Sequence, residues 1–128
     1  MIETLQSFSS GWEDTKGKSE LAFCRFLNEH DEFKALWGRN ASDFYSNVRC
    51  GILHQAETRG GWKTTKKDGA PLFEPSTLTI NASFFRDALA KVIEEFCLDL
   101  DQRDWKDKRW KNANKKFKTI CENCKTAQ

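Results

Sequence analysis

Arg49 and His54 stand five positions apart in the stretch Phe44-Tyr45-Ser46-Asn47-Val48-Arg49-Cys50-Gly51-Ile52-Leu53-His54-Gln55. The pair joins a permanent cation to the one side chain whose unperturbed pKa lies near neutrality. Together they are equipped for phosphodiester chemistry without a metal. Imidazole moves protons, and the planar guanidinium fork matches two phosphate oxygens at once. The other histidine, His30, lies in an ordinary polar context. The plainer alternative gives Arg49 an acidic partner on a neighbouring helix and leaves His54 as a surface residue.

An amphipathic helix opened by Ser42 or Asp43 must carry the pair. At ~100° per residue, Tyr45, Val48, Ile52 and Ala56 line one apolar face. His54 points almost opposite, with Asn47, Cys50 and Thr58 near it. Arg49 and His54 are ~140° apart on the same wheel, so convergence requires the length of the arginine side chain, a local bend, or a second copy of the helix. Gly51 costs ~1 kcal/mol against alanine in a helix interior. Beside Cys50 it forms a small-residue notch suited to the close approach of another backbone or a substrate. A symmetric dimer with Gly51 at its interface meets all three demands.

The chain has 128 residues, enough for one domain, 1–128, with a real core. Ten Phe and five Trp supply apolar material for it. Charges are mixed in sign and the net charge is +2, which argues against both disorder and a strongly basic nucleic-acid binder. No run approaches the ~18 apolar residues of a membrane span, and the N-terminus lacks a signal-peptide layout. Five cysteines, without the dense spacing of a disulfide scaffold, indicate a reducing, cytoplasmic setting and no membrane partner.

Apolar periodicity predicts helices over residues 2–15, from Ser19 through Trp37 with a break near Asn28–Asp31, from Ser42 to Thr58, and from Asn81 or Ser83 to Leu100. A last helix carries Trp110, Ala113, Phe117, Ile120 or Cys121, and Cys124 along one stripe. Pro71, Pro75, Gly60, Gly61 and Gly69 cluster in the remaining region. There, Trp62–Thr65 and Leu78–Ile80 suggest a small hairpin or extended lobe. The fold class is all-α: a four- to five-helix bundle with a short extended or β-hairpin insertion around residues 59–80.

Residues 103–118 carry Arg103, Lys106, Lys108, Arg109, Lys111, Lys115, Lys116 and Lys118 against Asp104 and Asp107, with Trp105, Trp110 and Phe117 interleaved. Such a stripe, Arg109 and Lys111 included, can hold an RNA backbone while aromatics stack on bases. The bland alternative is a solvated face with Trp110, Ala113 and Phe117 docked on the bundle. Lys63, Lys66 and Lys67 form a second basic cluster that flanks His54 in sequence. Cys121 and Cys124 make a lone Cys-x2-Cys, whereas structural zinc needs four ligands. No metal or other cofactor is therefore expected within one chain, and a site shared across a dimer stays open.

Arg49-Cys50-Gly51-Ile52-Leu53-His54 resembles the Arg-x4-His motif of the HEPN superfamily (higher eukaryotes and prokaryotes nucleotide-binding domains). The wider phrasing from Phe44 to Gln55 is similar to a plasmid- and mobile-element-associated branch. The resemblance implies an HEPN-like helical bundle, usually homodimeric, whose motif helices face each other across a composite, metal-independent endoribonuclease site. Many members are toxins or defence effectors, often beside an antitoxin or nucleotidyltransferase partner. It further implies that Arg49 and His54 are catalytic, supported by Tyr45, Asn47 and Cys50. RNA would be cleaved by attack of a ribose 2′-hydroxyl, giving a 2′,3′-cyclic phosphate and a 5′-hydroxyl. Cys50 stands where active members commonly carry Asn, Asp or His. The matching alternative is a catalytically inactive module that binds RNA, a nucleotide or a partner protein. A helical protein whose dimerisation is its whole function is the third reading.

Overall fold

Six α-helices and three short strands organise residues 1–126, the part of the chain that the computed structural model describes. The helices are α1 (Ile2–Ser10), α2 (Ser19–Glu29), α3 (Arg39–Phe44), α4 (Cys50–Gln55), α5 (Ala82–Asp101) and α6 (Lys108–Thr126). The strands β1 (Lys63–Thr65), β2 (Phe73–Glu74) and β3 (Thr79–Asn81) all lie in the insertion between α4 and α5. The protein is thus mostly helical with a small sheet insertion, the class its periodicity predicts. No helix among the described residues is long and apolar enough to cross a membrane.

The chain divides into two compact units. One comprises Met1–Phe26 and the chain from Ile93 on, and the other comprises Leu27–Val92. In the first, α1 packs along α6. The helix expected over 2–15 stops at Ser10, because Gly11 turns left-handed and its N–H closes on the Ser7 carbonyl. Asn112 Nδ2 donates to the Ser9 carbonyl at 2.7 Å, and the Phe8 and Phe117 rings meet at 4.7 Å. Trp110 anchors the start of α6 by donating from Nε1 to the Leu100 carbonyl at 2.7 Å. Asp99 receives both Arg103 and Arg109 at 2.8 Å. The hydrogen bond from Arg103, helped by the charge of Arg109, holds the Asp99 carboxyl below its ordinary range. Cys97, Cys121 and Cys124 are exposed free thiols. Among the described residues, no group of three or more His, Cys, Asp or Glu is placed to hold a metal.

The second unit is built on a column of aromatic rings. Phe33 meets Phe85 at 5.1 Å, Phe85 stacks on Phe44 at 5.3 Å, Phe44 meets Trp62 edge-on at 5.8 Å, and Trp62 stacks on Phe73 at 5.0 Å. Each such pair adds ~0.5–1.5 kcal/mol beyond the area it buries. Phe33 reaches the column from a 3₁₀ segment, Asp31–Leu36, where the sequence pattern suggested continued helix. Trp37 fastens that segment to the end of α2, its Nε1 donating to the Leu27 carbonyl at 2.8 Å.

The sheet differs from the expected hairpin. β1 and β3 pair in parallel, Thr64 opposite Ile80, and the antiparallel partner of β3 is β2, with Phe73 opposite Ile80. The two extended runs visible in the sequence are neighbours, but residues 66–78 loop back through a third strand between them. Buried Asn81 ties the insertion to the helix that follows. Its Oδ1 accepts from the N–H groups of Ser83 and Phe84 at 3.1 and 3.3 Å, so it caps α5 as expected. Its Nδ2 donates to the carbonyls of Lys67 and Ala70 at 3.0 and 3.2 Å.

Asn81→Ala strands two carbonyls and two amides, so it should destabilise the protein by ~2–3 kcal/mol in chemical denaturation. Asn81→Asp keeps the cap but turns an oxygen toward the two carbonyls, and should recover only part of that loss. For Asp99, the lowered folded pKa means a contribution to stability that is present above the unfolded value of ~3.9 and disappears as pH falls through the folded one. Asp99→Asn should flatten the acid limb of the stability–pH curve there, with little change in its shape near neutrality.

Candidate functional site

The helical run that carries Arg49 and His54 starts at Arg39, earlier than the Ser42 or Asp43 predicted, and ends at Gln55, short of Thr58. It is not uniform. Tyr45–Arg49 form a π turn, in which the Cys50 N–H reaches back to the Tyr45 carbonyl. Such a turn takes up one residue more than an α turn and recurs at functional sites. The segments on either side are therefore out of step by about one residue's rotation, ~100°. This is why a wheel drawn through the whole run misplaces its apolar face. Ala41, Phe44 and Val48 are the buried apolar residues, while Ile52 and Leu53 are 49% and 63% exposed and Ala56 lies at the surface.

Tyr45 and Arg49 sit four residues apart, and the guanidinium carbon lies 5.2 Å from the centre of the Tyr45 ring. A partly exposed cation–π contact of this kind is worth ~0.5–1 kcal/mol and fixes the direction of a long side chain. Arg49 Nη1 also lies 3.9 Å from Cys50 Sγ, a weak contact. His54 is exposed in the last turn of α4, and its ring has no hydrogen-bond or ion-pair partner among the described residues. Arg49 is the last residue of the wide turn and has α-helical dihedrals, and Cys50–Gln55 are α-helical, so the five-residue step to His54 stays near the ~140° of an α-helix. A bend between the two is thereby removed from the ways they can converge. Side-chain reach or a second copy remains.

Gly51 is explained inside the chain. A Cβ placed there would lie 2.5 Å from the Glu57 carbonyl oxygen and 3.5 Å from Arg59 Cγ. The close approach expected of a second copy at a dimer interface is made by the chain's own return from α4. Ala56 takes a left-handed conformation, φ 57°, and reverses the backbone. The Arg59 N–H then donates to the Asn47 carbonyl at 2.8 Å. Thr58 Oγ1 donates to the Trp62 carbonyl at 2.6 Å, delivering Trp62 to the aromatic column. Asn47, expected to support catalysis, is used in this packing. Its Nδ2 donates to the Asp43 carbonyl at 2.9 Å, and its Oδ1 faces Gly60, where a Cβ would come within 2.6 Å of it. The return loop is the part of the site that sequence reasoning missed, although the Gly60-Gly61 pair marks its apex.

The basic residues fall in different places. Lys63 is exposed on β1, and Lys66 and Lys67 are exposed in the loop after it, in the same unit as Arg49 and His54. Lys111 is exposed on α6, in the other unit. Arg109, also expected to bind RNA, is engaged by the Asp99 carboxylate.

Gly51→Ala separates the two explanations of that glycine. Relief of the helix-propensity penalty is worth ~1 kcal/mol, but the obstructing atom belongs to backbone and overpacking costs ~1–3 kcal/mol. The variant should melt lower than the parent, by an amount independent of protein concentration. A loss that vanishes on dilution would return Gly51 to a subunit interface. Comparisons with known protein families, with curated proteins and with solved structures find no match for this chain.

Proposed function

We propose that the protein is an HEPN-type, metal-independent endoribonuclease, acting as a toxin or defence effector, with Arg49 and His54 as its catalytic residues. What carries this reading is the placement of both on one continuous helical run. Arg49 is braced against Tyr45, His54 is exposed at the surface, and exposed Ile52 and Leu53 lie between them. Those two apolar side chains give a second copy a surface to cover. Pairing two runs across a twofold axis brings the Arg49 of one subunit toward the His54 of the other.

In such a site His54 takes the proton from a ribose 2′-hydroxyl, or returns one to the departing 5′-oxygen. The 2′-oxygen attacks phosphorus and the P–O5′ bond breaks. Arg49 stabilises the added negative charge of the five-coordinate transition state through its paired N–H donors. Lys63, Lys66 and Lys67 supply positive charge in the same unit for flanking phosphates. An antitoxin or nucleotidyltransferase partner belongs to this proposal through the family resemblance alone.

A second reading has one observation in its favour. Cys50 offers Arg49 only a weak sulfur contact where active members commonly place a polar side chain, which suits a module that binds RNA, a nucleotide or a partner without cutting.

Incubation with total RNA in the presence of a chelator decides between them. The ribonuclease reading expects 2′,3′-cyclic phosphate and 5′-hydroxyl ends, with DNA left intact. Arg49→Ala and His54→Ala should each lower cleavage by ~10²-fold or more while the melting temperature stays near that of the parent. Binding without products supports the second reading, and cleavage undiminished in both variants overturns the first.

A further inference from the structure

We propose that the corner between α5 and α6, with the lysine stripe that follows it, is a binding site for single-stranded nucleic acid centred on Trp105. This site belongs to the unit that does not contain Arg49 and His54, and it stands independently of them. The three aromatics interleaved with the basic run have different fates. Trp110 is half-buried and hydrogen-bonded to Leu100, and Phe117 lies against Phe8. Trp105 is 74% exposed, and its one ring contact among the described residues is the Lys106 ammonium, 5.4 Å from the ring centre. An indole left in water beside a cation has lost the apolar contacts that would explain it as core, and keeps the two features a base with its phosphate recognises.

The cations divide as cleanly. Arg103 and Arg109 share the Asp99 carboxylate, and Arg103 also reaches Asp107. Lys108, Lys111, Lys115 and Lys118 are all exposed and recur at spacings of three and four, forming one stripe along α6. The stripe spans ~15 Å at 1.5 Å rise per residue and points away from the face bearing Ala113. Lys115 lies 3.5 Å from Glu13, whereas the side chains of Lys108 and Lys111 have no partner among the described residues. Lys108 and Lys111 also occupy the first turn, where cations oppose the helix dipole, so local stability does not account for them. The helix N–H groups are not the proposed contact, since Asp107 Oδ1 already accepts from the Arg109 N–H at 2.8 Å. Phosphates run along the lysines and one base stacks on the free face of Trp105. A duplex, whose bases are already stacked on one another, cannot use the ring. Lipid is the poorer occupant, because the corner offers one indole with Asp104 and Asp107 on either side of it.

Fluorescence anisotropy of a labelled oligodeoxythymidine, titrated with the full chain over a series of salt concentrations, tests the proposal. Trp105→Ala, folded by circular dichroism, should weaken binding about tenfold and leave the salt dependence unchanged, while Trp105→Phe retains most of the affinity. Lys111→Gln should reduce the slope of log affinity against log salt by ~0.7. Unlabelled duplex of the same length should compete poorly. Equal binding by Trp105→Ala, equal competition by duplex, absence of binding at low salt, or capture by phosphatidylserine vesicles in place of the oligonucleotide would each overturn it. Deoxyribose lacks the 2′-hydroxyl, so this result and RNA cleavage by Arg49 and His54 can fail separately.

Discussion

The second unit depends on one contact between backbone atoms: the Glu57 carbonyl seated against the bare α-carbon of Gly51. A side chain at 51 would hold the return loop away from α4. The hydrogen bond from Arg59 to the Asn47 carbonyl would then open, and with it the path by which Trp62 reaches Phe44 and Phe73. The same contact fixes where the helix bearing Arg49 and His54 ends. It leaves His54 in the final turn, exposed, with the chain folding back beside it. A glycine in mid-helix is unfavourable locally and persists here because long-range packing outweighs propensity.

Around that contact the unit separates the residues that hold shape from those with chemistry to spare. Asn81 uses all of its side-chain hydrogen-bonding capacity inward, on the cap of α5 and on the carbonyls of Lys67 and Ala70. Asn47 is similarly occupied by the Asp43 carbonyl and the Gly60 turn. Arg49 is steadied by an aromatic ring, and His54 is not held at all among the described residues.

The features legible in the sequence were those written in local pattern. Asn81 before an apolar repeat marks a helix start, and the proline and glycine cluster marks the insertion. Aromatic residues at helical spacing mark the core helices. What escaped was non-local or lacked a chemical signature. No residue type announces a π turn, so the apolar face drawn from a constant 100° step fell on Ile52 and Ala56 instead of stopping at Val48. Parallel pairing of β1 with β3 depends on β2, two residues held between prolines and too short to show alternation. Arg109 looked available because its partner, Asp99, lies ten positions back across a corner. Trp105, by contrast, falls outside the apolar stripe that carries Trp110 and Phe117, and its exposure agrees with that pattern. The identities of Arg49, His54, Tyr45 and Cys50 could be read directly, whereas the role of Gly51 needed coordinates.

Three of the five cysteines, Cys97, Cys121 and Cys124, reach the surface as free thiols. In air they offer two molecules a covalent way of pairing that owes nothing to the helices described above. Air-oxidised material would run as a dimer on a sizing column whether or not a twofold catalytic assembly exists. Self-association of this protein therefore acquires meaning only when a reductant keeps those sulfurs apart.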